Sequence, residues 1–133
     1  MPSFLSWINN NLTISAHPAK KPMKDNWWQG FDVIINVSDY IDHKLHANIT
    51  KQGVPAYWFP LGESFGMPLE IIYGALSVLW KAEKNHLKVF MHCMAGRNRS
   101  VMIADCYYFI RQGCHRTDKA SDVIYGKNKS NKL

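Results

Sequence analysis

Two short apolar runs, the first rich in β-branched residues, constrain this chain more than any other feature. Asp32–Val37 reads Asp-Val-Ile-Ile-Asn-Val, and Lys88–His92 reads Lys-Val-Phe-Met-His. Neither alternates apolar with polar residues, so both are expected as strands buried on both faces. Such strands need helices above and below them, and segments with helical spacing lie between and after them. Pro68 suits the first turn of a helix, and Leu69, Ile72, Tyr73, Leu76, Leu79 and Trp80 then fall on one face. A second helix is predicted from Arg99, with Met102, Ile103, Cys106, Tyr107 and Ile110 inward and Gly113 as its stop. A third runs from Thr117, as N-cap, through Ala120, Val123 and Ile124 to Gly126.

The remaining segments complete an α/β pattern. Asn11–Ser15 reads as a short first strand and Pro55–Leu61 as another extended segment, with Pro60 near its end. Trp27, Trp28 and Phe31 are apolar anchors near a short helix or turn, and Trp58 and Trp80 are also expected in the core. Ala16–Lys24, with two prolines and three lysines, reads as an exposed loop, and the tail from Lys127 is expected to fray. Strands alternating with helices imply a mostly parallel central sheet of about four to five strands flanked by helices. At 133 residues, this is one domain over 1–133.

Composition narrows the function classes. Sixteen basic against ten acidic residues give a net charge of +6, which favours anionic partners without choosing among them. The first ten residues lack the basic region and apolar run of a signal peptide, and no stretch approaches the roughly 18 apolar residues of a membrane span. Three cysteines at unrelated spacings do not make a disulfide framework. Asn-x-Ser/Thr triplets such as Asn11-Leu12-Thr13 and Asn48-Ile49-Thr50 are read as chance matches, and a reducing cytoplasm is the expected compartment. No Cys-x-x-Cys or paired-histidine spacing suggests zinc, and no Gly-Lys-Ser/Thr suggests a nucleotide loop. No metal or cofactor is expected.

In open α/β sheets, ligands bind outside the carboxyl ends of strands. That directs attention to His92-Cys93-Met94-Ala95-Gly96-Arg97-Asn98-Arg99-Ser100. Here a buried strand delivers a cysteine, five residues form a loop, and an arginine opens a helix. The backbone N–H groups of Met94, Ala95, Gly96, Arg97 and Asn98 can form an anion nest, reinforced by the positive end of the following helix. Gly96 permits the backbone geometry of such a turn. In that positive potential the Cys93 thiol is expected to ionise near neutral pH and act as a nucleophile. Arg99 supplies a planar charged fork for phosphoryl oxygens, and Ser100 a hydroxyl that can hydrogen-bond the sulfur. His92 is expected to orient the loop through its ring.

The segment resembles the signature of the protein tyrosine phosphatase superfamily, His-Cys-five residues-Arg-Ser/Thr. Its form Cys-x-Ala-Gly-x-x-Arg-Ser is most similar to the dual-specificity branch. Asp32–Val37 resembles that branch's Val-Leu-Asn-Val strand, with Asn36 at the asparagine. Tyr57–Glu63 resembles its Tyr-x-x-Ile-Pro-Val-x-Asp stretch. The resemblance implies hydrolysis of phosphomonoesters through a phosphocysteine intermediate. The implied substrates are phosphotyrosine, phosphoserine and phosphothreonine in proteins. It also places Glu63 where the family carries its general acid, an aspartate; Asp39, Asp42 and Glu70 are the rival carboxylates. Asn98 is shared with RNA 5′-triphosphatase relatives, and Arg97 resembles the basic loops of phosphoinositide phosphatases. RNA and phosphoinositides are therefore alternative substrates. A phosphate-binding module without effective catalysis is the non-enzymatic alternative. Cys106 reads as a small core residue and Cys114 as incidental, with either a conceivable disulfide partner for an oxidised Cys93.

Overall fold

The computed structural model describes residues 4–15, 27–62, 68–93 and 99–112. Four α-helices and four strands occur there, in the order α1 (Phe4–Asn11), β1 (Leu12–Ser15), a 3-10 turn (Trp27–Gly30), β2 (Val33–Asn36), α2 (His43–Lys51), β3 (Ala56–Trp58), α3 (Leu69–Lys84), β4 (Val89–His92) and α4 (Arg99–Gln112). The strands form one sheet in the order β1-β4-β2-β3. Every pairing is parallel, with Ile35 level with Met91 on β4 and with Tyr57 on β3.

The two runs that opened the sequence reading are the two central strands, buried at every residue. Their alternating side chains supply two separate cores. Val33, Ile35, Val37, Val89, Met91 and Cys93 face a large cluster completed by Trp7, Leu61, Leu76, Leu79, Ile103 and Tyr107. Ile34 and Phe90 face the other side, against Trp28 and Ile49, with Trp27, Phe31, Leu45 and Val54 packed around them. Helices α1, α3 and α4 therefore supply the larger core, while α2 and the 3-10 turn supply the smaller. Burial of this apolar surface, at about 25 cal/mol per Å², is the main stabilising term.

Two elements were not anticipated. Helix α2 starts at Asp42, whose Oδ1 accepts from the Leu45 N–H at 3.1 Å. It ends at Gly53, φ +90°, where the Gly53 N–H donates to Thr50 O and the Val54 N–H to Ile49 O. This is a Schellman closure that requires a left-handed residue. Helix α1 places Trp7 in the core, where its indole N–H donates to Leu87 O at 3.2 Å.

Helix α3 corrects the expected inward stripe. Leu69, Tyr73 and Trp80 are exposed, and the inner seam is Ile71, Ile72, Ala75, Leu76, Leu79, Ala82 and Glu83. Bulk alone does not mark the buried face here, which includes two small alanines. Gly74 marks another close approach, since a Cβ there would stand 2.7 Å from the Phe59 ring. Pro68 sits at the N-cap with extended backbone, one residue before its expected place. Its carbonyl accepts the Ile71 and Ile72 N–H groups, so the missing proline N–H costs nothing. On α4, Ile110 is exposed rather than inward, because the seam runs through Val101, Ile103, Ala104, Tyr107 and Tyr108. Trp58 is also exposed, on the short edge strand β3. The expected helix at 117–126, the Gly113 stop, the 16–24 loop, the tail and Cys114 lie outside the described residues. None of the described helices is long and apolar enough to cross a membrane.

A buried polar strut joins α3 to α4. The Tyr107 hydroxyl donates to Glu83 Oε1 at 2.6 Å, and Arg111 Nε donates to the same oxygen at 2.8 Å. Burial first, and then the Glu83 carboxylate, push the Tyr107 pKa upward, so the phenol stays protonated and donating. Glu83→Ala removes the acceptor from a buried hydroxyl and the partner from a guanidinium. It is expected to cost about 2–3 kcal/mol in urea unfolding, and Glu83→Gln about half of that.

Candidate active site

The carboxyl ends of β2 and β4 and the start of α4 converge on one point. Strand β4 hands the chain directly to Cys93, and α4 begins six residues later with Arg99 and Ser100. All three are buried, Cys93 to 1% exposure. The sheet stays zipped past its assigned ends: the Val37 N–H donates to His92 O and the Phe59 N–H to Asn36 O, both at 2.8 Å. The floor of the site is thus a stiff part of the molecule.

Cys93 Sγ and Ser100 Oγ lie 3.2 Å apart, within hydrogen-bonding reach for sulfur. Arg99 Nη1 donates to Leu61 O at 2.7 Å and to Asp39 Oδ1 at 3.2 Å. Leu61 is fully buried, so its carbonyl is a fixed anchor that holds the guanidinium across the strand ends. The sulfur and the Ser100 hydroxyl are therefore in contact, and the neighbouring Arg99 is anchored on Leu61 O and Asp39. The nest residues Met94, Ala95, Gly96, Arg97 and Asn98, and the expected acid Glu63 with Ser64, lie outside the described residues.

Asn36 organises the turn beside them. Its Nδ2 donates to Tyr40 O at 2.8 Å, while its Oδ1 accepts from the Ser38 N–H at 2.9 Å and lies 2.7 Å from Ser38 Oγ. The Ser38 hydroxyl in turn accepts from the Tyr40 N–H at 3.2 Å. Trp58 clamps the same turn from β3, its indole N–H donating to Ser38 O at 2.9 Å. The result is a closed turn over 36–40 that carries Asp39 to Arg99. His92 is placed differently. It lies on the α2 side of the sheet and lines a cavity of about 30 Å³ with Asn36, Asp42, His46 and Tyr57. That space suits one or two water molecules rather than a substrate.

The rival carboxylates separate cleanly. Asp42 caps α2, Glu70 lies exposed in the first turn of α3, and Asp39 contacts Arg99. The contact between Asp39 and Arg99 was not anticipated from sequence; its signal was an acidic residue three positions after the strand asparagine. Cys106 is half-buried against the core, and burial first, then the Asp105 charge, raise its thiol pKa.

Compared by sequence, the chain matches no protein-family model and no curated protein. Its structure does find relatives. Tk-PTP in its active form superposes with a TM-score of 0.70 at 21% identity, covering 91% of this chain and 82% of that one. The fold is the one Tk-PTP has. Kinase-associated phosphatase, in a form described as carrying serine for its catalytic-site cysteine, aligns with a TM-score of 0.66 at 16% identity, over 96% of this chain and 82% of its own. The core catalytic domain of SIW14 from S. cerevisiae, described as a PP-IP phosphatase, aligns with a TM-score of 0.53 at 14% identity, over 98% and 90%. The same fold is thus shared by solved proteins described as different kinds of phosphatase.

Proposed function

We propose that the chain is a cysteine-dependent phosphatase that hydrolyses phosphomonoesters through a phosphocysteine intermediate. The observation that supports the proposal is the buried trio at the junction of β4 and α4, with Cys93 Sγ 3.2 Å from Ser100 Oγ and the adjoining Arg99 anchored on Leu61 O. In the first step the Cys93 thiolate attacks phosphorus, forming an S–P bond as the ester P–O bond breaks. The leaving oxygen takes a proton from the Glu63 carboxyl. In the second step water attacks phosphorus and gives its proton to the Glu63 carboxylate. The S–P bond breaks, and Ser100 donates a hydrogen bond to the departing sulfur. Arg99 grips the equatorial oxygens in both steps, aided by the 94–98 amides.

Phosphotyrosine, phosphoserine and phosphothreonine in proteins are the proposed substrates. The basic loop residue Arg97 and the PP-IP phosphatase among the relatives support a second reading, a phosphoinositide or another polyanionic phosphate. Turnover of phosphotyrosine peptide, phosphoinositide and RNA 5′-triphosphate, measured side by side, separates the readings. With an aryl phosphate the rate is expected to be bell-shaped in pH. Glu63→Gln is expected to lower kcat by about 10²-fold and to remove the alkaline fall that reports a protonated acid. An unchanged profile in Glu63→Gln removes Glu63 from the mechanism.

A further inference from the structure

We infer that Asp39 is a displaceable counter-ion for Arg99, a positioning residue that sets the affinity of the site for phosphate; the inference rests on the function proposed above. Arg99 is 2% exposed, and a guanidinium so buried is costly without a nearby anion. Asp39 supplies that charge at 3.2 Å while remaining 63% exposed. Its own place is not accidental. Asn36, Ser38 and Tyr40 close the turn that carries it, and Trp58 braces the turn from the neighbouring strand.

Nη1 donates to both Leu61 O and Asp39 Oδ1. Leu61 O is a fixed anchor, whereas the Asp39 carboxylate competes with phosphate for the same guanidinium. Its charge sits across one guanidinium from a bound dianion. That separation is within about one Debye length, roughly 8 Å at physiological salt. With a thiolate already at Cys93, the bound state carries more negative charge than Arg99 can offset. The same carboxylate that stabilises the empty site thus opposes anion binding, and its exposure lets it swing into water when phosphate arrives.

The other described carboxylates have different work. Asp42 caps α2, Asp32 accepts the Lys88 N–H, and Glu83 holds Tyr107 and Arg111. Asp42→Asn is the matched control, because asparagine caps a helix as well as aspartate and the substitution removes the same charge. Asp39→Asn keeps an acceptor for Nη1, so it isolates the charge from the hydrogen bond.

The test is titration of the full chain with inorganic phosphate, followed by phosphorus NMR line width, for wild type, Asp39→Asn and Asp42→Asn. Asp39→Asn is expected to bind phosphate about three- to tenfold more tightly at low salt, with the gap closing as salt rises. Asp42→Asn should match wild type. Equal or weaker binding by Asp39→Asn, or a gain shared equally by Asp42→Asn, overturns the inference while leaving the phosphatase reading intact. Absence of binding to wild type counts against that reading instead. In that case the counter-ion role stands if Asp39→Asn binds phosphate and falls if neither protein does.

Discussion

Replacing Cys93 by serine is expected to lower kcat on an aryl phosphate by at least about 10⁴-fold while phosphate still binds. The serine hydroxyl is nearly the size of the thiol, so the buried position tolerates it and the fold survives. What is lost is ionisation, since a hydroxyl in the same positive potential remains protonated at neutral pH and attacks phosphorus poorly. A 10⁴-fold loss corresponds to about 5.5 kcal/mol of transition-state stabilisation. In the proposed mechanism affinity depends on Arg99 and the loop amides, which the substitution leaves alone. Single-turnover kinetics and phosphate titration of the variant separate the two effects. Turnover equal to wild type ends the proposed mechanism.

Arg99→Lys is expected to damage both parameters, with kcat down about 10³-fold and phosphate affinity down about tenfold. Charge is conserved in this exchange, so the loss measures geometry. A lysine ammonium has no planar fork and cannot grip two oxygens in parallel. It also cannot hold Leu61 O and grip phosphate together, as a guanidinium can. Arginine groups that stabilise a transferring phosphoryl contribute about 10³–10⁵ in rate, which sets the scale. Steady-state kcat and KM for the variant, with a melting curve to establish folding, test this. A change in KM alone leaves Arg99 a binding residue and removes it from the chemical step.

The strands were legible because their signal is local. Val33–Asn36 and Val89–His92 carry unbroken apolar runs, and a buried parallel strand leaves no other pattern. The Cys93–Ser100 segment was legible for a similar reason, since its spacing joins a strand to a helix. Helix α2 was harder to see. His43–Lys51 is polar over most of its length, and its apolar contacts reduce to Leu45 and Ile49. Its ends were nevertheless written in Asp42 and Gly53. The buried face of α3 was harder to see, because Leu69, Tyr73 and Trp80 are bulky yet exposed while the small Ala75 and Ala82 are buried. Asp39 could not be placed from sequence. Its partner is 60 residues away, and only the turn closed by Asn36 brings the two together.

The proposed mechanism requires that the junction after β4 keep the Cys93 sulfur ionised at neutral pH. The direct measurement is ultraviolet thiolate absorbance against pH, taken as the difference between wild type and Cys93→Ser, so that Cys106 and Cys114 cancel. A difference titration with its midpoint below pH 7 is expected, against about 8.5 for a free thiol. A midpoint at or above about 8.5 in the folded protein would contradict it.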